Sequence, residues 1–115
     1  MKETWTQKIG TSKGAPRLCL WNKKLIPAGF DFGQPIKIDV QSNHVAITPV
    51  KEARRKVSKV MNHGNELPVI DIKQTRAIDL ASLFVIGDPV RVTISAGRII
   101  LEKSAVVAAL VNLAA

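Results

Sequence analysis

The sequence predicts a mainly β domain with short helices, made by using one supersecondary unit twice. Three observations carry that expectation. First, residues 25–50 return, with 54 added to each number, as residues 79–104 in one ungapped run. Phe30/Phe84, Gly33/Gly87 and Pro35/Pro89 are identical, and Ile36/Val90, Lys37/Arg91, Ile38/Val92, Val40/Ile94, Val45/Ile99 and Ile47/Leu101 keep size class and polarity. A repeat of that length identifies the architectural unit before any single element is assigned. Second, Ile36, Ile38, Val40 and Val90, Val92, Ile94 alternate with polar residues, the period of a half-buried strand. Third, Gln41-Ser42-Asn43 and Ser95-Ala96-Gly97 have hairpin-turn chemistry, with Asn43 and Gly97 placed where a positive φ is tolerated. The return strands follow at residues 45–47 and 99–101.

In chain order, residues 1–15 carry Lys2, Lys8 and Lys13 against one acid, with two glycines and little apolar content. The expectation is a basic flexible arm. Either it follows a phosphate backbone with Trp5 free to stack on a base, or it is an idle tail with Trp5 tucked onto the domain. No hydrophobic run follows Met1, so no secretory signal is expected.

Pro16, Leu18 and Leu20 form an apolar strand that returns at an offset of 52 as Pro68, Ile70 and Ile72. Arg17 lies on that strand, and Cys19 should face away from its two leucine neighbours. It is the sole cysteine, which excludes an internal disulfide and a cysteine cluster for zinc. A reducing cytoplasm is consistent with that count. His44, in a predicted turn, and His63 are the only histidines, so no base is identifiable for a catalytic thiol and no enzyme is expected.

Trp21, Asn22, Lys23 and Lys24 join the first strand to a short helix over residues 25–30, and Lys73, Gln74, Thr75 and Arg76 do the same before residues 80–86. Both connections are basic and polar. Lysine offers a point charge to phosphate, whereas Arg, Asn and Gln can also make paired hydrogen bonds to base edges. A glycine, Gly33 or Gly87, is then expected to end each short helix by accepting a left-handed or turn conformation.

Residues 51–66 concentrate charge: Arg54, Arg55, Lys56 and Lys59 fall within six positions. Thr48-Pro49 resembles a helix start and Gly64 a stop. Val50, Ala53, Val57, Val60 and Met61 recur at helical spacing. The expectation is an amphipathic connector helix of about 14 residues and about 21 Å, its basic face either on phosphate or simply solvated. Residues 105–115, AVVAALVNLAA, are too few to span a bilayer, which needs roughly 20. They are expected to form a terminal helix that packs on the domain or serves a homodimer.

The order strand, basic turn, short helix, Gly-x-Pro, strand, tight turn, strand resembles the swapped-hairpin fold of the AbrB and MazE-like DNA-binding regulators and antitoxins. The first repeat, residues 16–50, is more specifically similar to the SymE-type toxin family, through Arg17-Leu18, Trp21, Ala28-Gly29-Phe30 and the glycine four residues on, Gly33. In AbrB-like sequences an arginine pair often follows the Ile-Pro element; here Ala28-Gly29 and Ala81-Ser82 stand instead. The resemblance implies one unit per chain and a dimer that interleaves strands into a small barrel. Two units in one chain therefore imply a tandem swapped-hairpin β-barrel closed as an intramolecular pseudo-dimer, of repeat 1 (16–50), connector (51–66), repeat 2 (67–104) and tail (105–115). Units of that size bury too little surface alone but would share one core when interleaved.

With 17 Lys and Arg against 9 Asp and Glu, a net charge of +8 favours a polyanionic partner. Charge and resemblance together predict a bacterial or phage DNA-binding protein, a transcriptional regulator or nucleoid-associated factor, without cofactor or membrane. Its expected contacts to double-stranded DNA are Lys13, Arg17, Asn22, Lys23, Lys24, Arg54, Arg55, Lys56, Lys59, Lys73, Gln74 and Arg76. Two alternatives stay open: a SymE-like toxin acting on RNA or the nucleoid, and an antitoxin or inhibitor that binds a protein.

Overall fold

A computed structural model describes residues 2–104. Two antiparallel sheets hold the strands. The larger has the order β1 (Lys2–Lys8), β8 (Pro89–Ser95), β9 (Arg98–Lys103), β5 (Val45–Pro49), β4 (Ile36–Val40). The smaller has the order β2 (Gly10–Ser12), β3 (Ala15–Trp21), β7 (Asn65–Lys73), β6 (Ser58–Asn62). The mainly β class and the strands of both repeats thus stand where the alternation puts them.

The expected closed barrel does not form. Closure would need β3 and β7 to pair onward into the larger sheet, but β2 and β6 take their outer edges. The inward faces of the two sheets share one core instead. Leu18 and Leu20 of β3 and Ile70 and Ile72 of β7 join Val45 and Ile47 of β5, Val92 and Ile94 of β8, and Ile99 and Leu101 of β9, all buried. Phe30 and Phe84 complete it from the two connecting loops.

The two offsets in the sequence are also two cross-strand separations. Ala46 of β5 stands opposite Ile100 of β9, 54 positions on, and Cys19 of β3 stands opposite Asp71 of β7, 52 positions on. When each residue pairs with its own counterpart, the two halves are related by a local two-fold through both pairs.

That relation extends into segments expected to differ. Residues 1–15 are not an arm: β1 pairs along its length with β8, and β2 turns into β3. Alternation explains it, since Glu3, Trp5 and Gln7 are half-buried while Lys2, Thr4, Thr6 and Lys8 are exposed. The Trp5 indole donates to Gln7 Oε1 at 2.8 Å and packs against the core. Residues 51–66 are not a helix either. Val57 alone of the supposed apolar stripe enters the core; Val60 and Met61 lie exposed on β6, which hairpins onto β7. Ile9 and Val57 are counterparts: Ile9 exchanges backbone hydrogen bonds with Gly87 and Asp88, and Val57 does so with Gly33 and Gln34. Pairing of β6 with β7, and of Val57 with the Gly33-Gln34 turn, satisfies backbone groups that a surface helix would satisfy locally, and it also buries Val57.

The predicted short helices reduce to single 3-10 turns, Lys23–Leu25 and Leu80–Ser82. Pro27 lacks the N–H that would continue the first. The reversals follow as expected, Gly33 at φ +78° and Gly87 at φ +92°. Of the two tight turns, Gly97 takes a positive φ but Asn43 does not. Its side chain instead bonds His44 Nδ1 at 2.7 Å. The expected terminal helix and its dimer role lie outside the described residues.

Candidate nucleic-acid interface

The smaller sheet presents an outer face, away from the core. On β3 the outward positions are Arg17, Cys19 and Trp21, between the buried Pro16, Leu18 and Leu20. On β7 they are Val69, Asp71 and Lys73, between the buried Pro68, Ile70 and Ile72. The register sets these in three rows: Trp21 opposite Val69, Cys19 opposite Asp71, Arg17 opposite Lys73.

Asp71 organises one end. Arg17 donates to it twice, Nε to Oδ1 at 2.9 Å and Nη2 to Oδ2 at 2.8 Å. Lys73 Nζ lies 3.9 Å from Oδ2, and Arg55 reaches across to donate to the Asp71 carbonyl at 3.3 Å. The Arg17 hydrogen bonds, ahead of the cost of burial, hold the Asp71 carboxyl below the usual range, and the charges of Arg17, Lys73 and Arg55 add to that. Three cations against one carboxylate leave this end positive by two. Cys19, in the next row, has its thiol pushed up by burial and then by the Asp71 charge, so it stays protonated. It faces outward between Leu18 and Leu20 as expected.

The expected contacts divide among several places. Lys13, at the β2–β3 turn, and Arg76, in the loop after β7, extend the Arg17 end; both are exposed. Lys23 and Lys24 leave the Trp21 end, where Lys24 Nζ sits 3.7 Å from Glu3. Arg54 and Lys56 are exposed beside β4, with no carboxylate within 4 Å among the described residues. Lys59, on β6, is matched by Glu66 at 3.4 Å.

Asn22 and Gln74 are engaged differently from the expectation. Asn22 Oδ1 accepts from the Lys24 N–H at 2.8 Å, capping the first 3-10 turn. Gln74 Oε1 accepts from the Ala81 N–H at 2.9 Å and its Nε2 donates to Asp79 at 2.8 Å, capping the second. Their hydrogen-bonding groups hold the loops that present Lys23, Lys24 and Arg76.

Sequence reasoning passed over two residues of this face. Trp21, expected in the connection after the strand, continues the outward alternation Arg17, Cys19, Trp21 and is 50% exposed. Asp71 has the matching place on β7. Among the described residues no three His, Cys, Asp or Glu side chains gather as metal ligands, and no helix is long and apolar enough to cross a membrane. Comparison with protein-family models, curated proteins and solved structures gives no match.

Proposed function

We propose that this chain is a nucleic-acid-binding protein, not an enzyme: a DNA-binding regulator or nucleoid-associated factor of the bacterial or phage cytoplasm that grips duplex phosphate with the smaller sheet. The observation that carries this reading is the gathering of three cations at Asp71, Arg17 and Lys73 at its carboxylate and Arg55 at its backbone carbonyl. Asp71 fixes Arg17 in place, and a fixed guanidinium loses less freedom when phosphate arrives. The loop cations Lys23, Lys24 and Arg76 lengthen the track at both ends, and binding releases counterions from the DNA.

The two-fold pairings of Ala46 with Ile100 and Cys19 with Asp71 support a tandem relative of the swapped-hairpin regulators, with its hairpins exchanged inside one chain. Since Asn22 and Gln74 are engaged as caps, sequence preference falls to Arg76 or to DNA shape.

The test is binding of labelled duplex by the protein and by a variant carrying Lys23→Ala, Lys24→Ala, Lys73→Ala and Arg76→Ala. Loss of duplex binding with the fold intact supports the reading. Equal binding by both proteins contradicts it.

A further inference from the structure

The local two-fold relates the ends of the outer face, but their side chains differ in kind. Trp21 and Lys73 are counterparts at an offset of 52, and so are Arg17 and Val69. One end therefore carries Arg17 and Lys73, and the other Trp21 and Val69. A shallow open groove at the second end is lined by Cys19, Trp21, Val60, Met61, Asn62 and Val69. Trp21 and Val60 are 50% and 40% exposed on this face, large apolar side chains to leave in solvent, and Met61, the next residue of β6 and 61% exposed, borders the same groove. The Trp21–Val69 row lies four residues along the strand from the Arg17–Lys73 row, about 13 Å at 3.3 Å per residue.

We propose that this groove is a subsite for unpaired bases, so that the outer face binds single-stranded polynucleotide: a base stacks on Trp21 while its backbone runs on to Arg17, Arg55 and Lys73. The subsite rests on the nucleic-acid reading above. Charge complementarity selects the occupant, because an apolar peptide gains nothing from the cationic end and a polyanion without base faces gains nothing from Trp21. A single strand offers both chemistries along one chain. A duplex meets only the cations, since its base faces are stacked on one another. The Cys19 thiol, held protonated, adds an apolar floor with no negative charge beside the base.

The test is fluorescence anisotropy with labelled oligothymidylate, oligouridylate and a duplex of equal length. Trp21→Ala should weaken both single strands roughly 5- to 150-fold, the range for losing one base–aromatic stack, and leave duplex binding nearly unchanged. Trp21→Phe should keep most single-strand affinity, and in a Trp5→Phe background oligothymidylate should quench the Trp21 emission. If the protein binds duplex in a salt-dependent way but Trp21→Ala leaves single-strand affinity intact, the subsite is wrong and the wider reading survives. If Trp21→Ala lowers duplex and single-strand binding equally, the subsite is also wrong. If the protein binds neither form at low salt, both readings fall.

Discussion

Ala46 of β5 stands opposite Ile100 of β9, and the 54 positions between them are the interval at which the sequence repeats. A residue that pairs with its own counterpart marks an axis. The second such pair, Cys19 with Asp71, carries the axis through the smaller sheet, so two strands of similar sequence meet there with dissimilar side chains. The core should therefore respond symmetrically to mutation, and the outer face should not.

Phe30 and Phe84 hold matching places in that core, each almost fully buried. Phe30→Ala and Phe84→Ala should each cost about 3–5 kcal/mol, the range for removing a buried phenyl ring. Urea denaturation checks this. A large effect at one site alone would show that the halves do not share their core equally.

The hairpins β2–β3 and β6–β7 turn through Lys13-Gly14 and His63-Gly64, with φ of 53° and 80° in the first and 51° and 80° in the second. Consecutive positive φ values are the mark of the type I′ turn, which favours Asn-Gly. Gly64→Ala should destabilise by about 1–2 kcal/mol, the cost of a left-handed alanine. His63→Asn should stabilise slightly, because asparagine tolerates that conformation better. Thermal denaturation distinguishes the two directions.

These turns also show what the sequence made legible and what it hid. Strands β4, β5, β8 and β9 were plain because their alternation, Ile36-Lys37-Ile38-Asp39-Val40 for one, leaves a single way to bury one face. Residues 51–66 misled because Val50, Ala53, Val57, Val60 and Met61 fit a helical period, whereas their partners are distant information: β7 for Val60 and Met61, Gly33 and Gln34 for Val57, and Pro35 for Val50. One local signal was present. Lys56-Val57, then His63-Gly64, then Pro68 follows the order Lys8-Ile9, Lys13-Gly14, Pro16. The offset grows from 48 to 52 along that stretch, so an ungapped comparison cannot find it. The basic residues of the interface were legible by type, but their grouping around Asp71 depends on strand register, and the engagement of Asn22 and Gln74 depends on loop geometry.

Asp71 should make stability depend on acid. Its carboxyl titrates below the ordinary range because Arg17 hydrogen-bonds to the charged form. The unfolded chain therefore takes up that proton at a higher pH than the folded chain. The stabilisation is fully present above the ordinary carboxylate range, near pH 4, and is lost as pH falls through the lowered value. Urea midpoints of the protein and of Asp71→Asn should converge as pH drops below about 4. A constant gap across that window would contradict the pairing.

Cys19 should be a slow thiol. Burial raises its pKa, so less thiolate is present at mildly alkaline pH than for a free cysteine. Alkylation by iodoacetamide near pH 8 should run slower than that of glutathione, and Asp71→Asn should speed it by removing a nearby negative charge. Faster labelling than glutathione would place Cys19 in a different environment.

The most direct test of the central claim is the salt dependence of duplex binding. If about six phosphates are neutralised by the Arg17, Arg55 and Lys73 group together with the loop cations, the log of the binding constant should fall against log salt with a slope of about −5. The variant lacking Lys23, Lys24, Lys73 and Arg76 should give a clearly shallower line. A slope near zero for the unaltered protein, or no binding at low salt, would mean that this positive face does not serve nucleic acid.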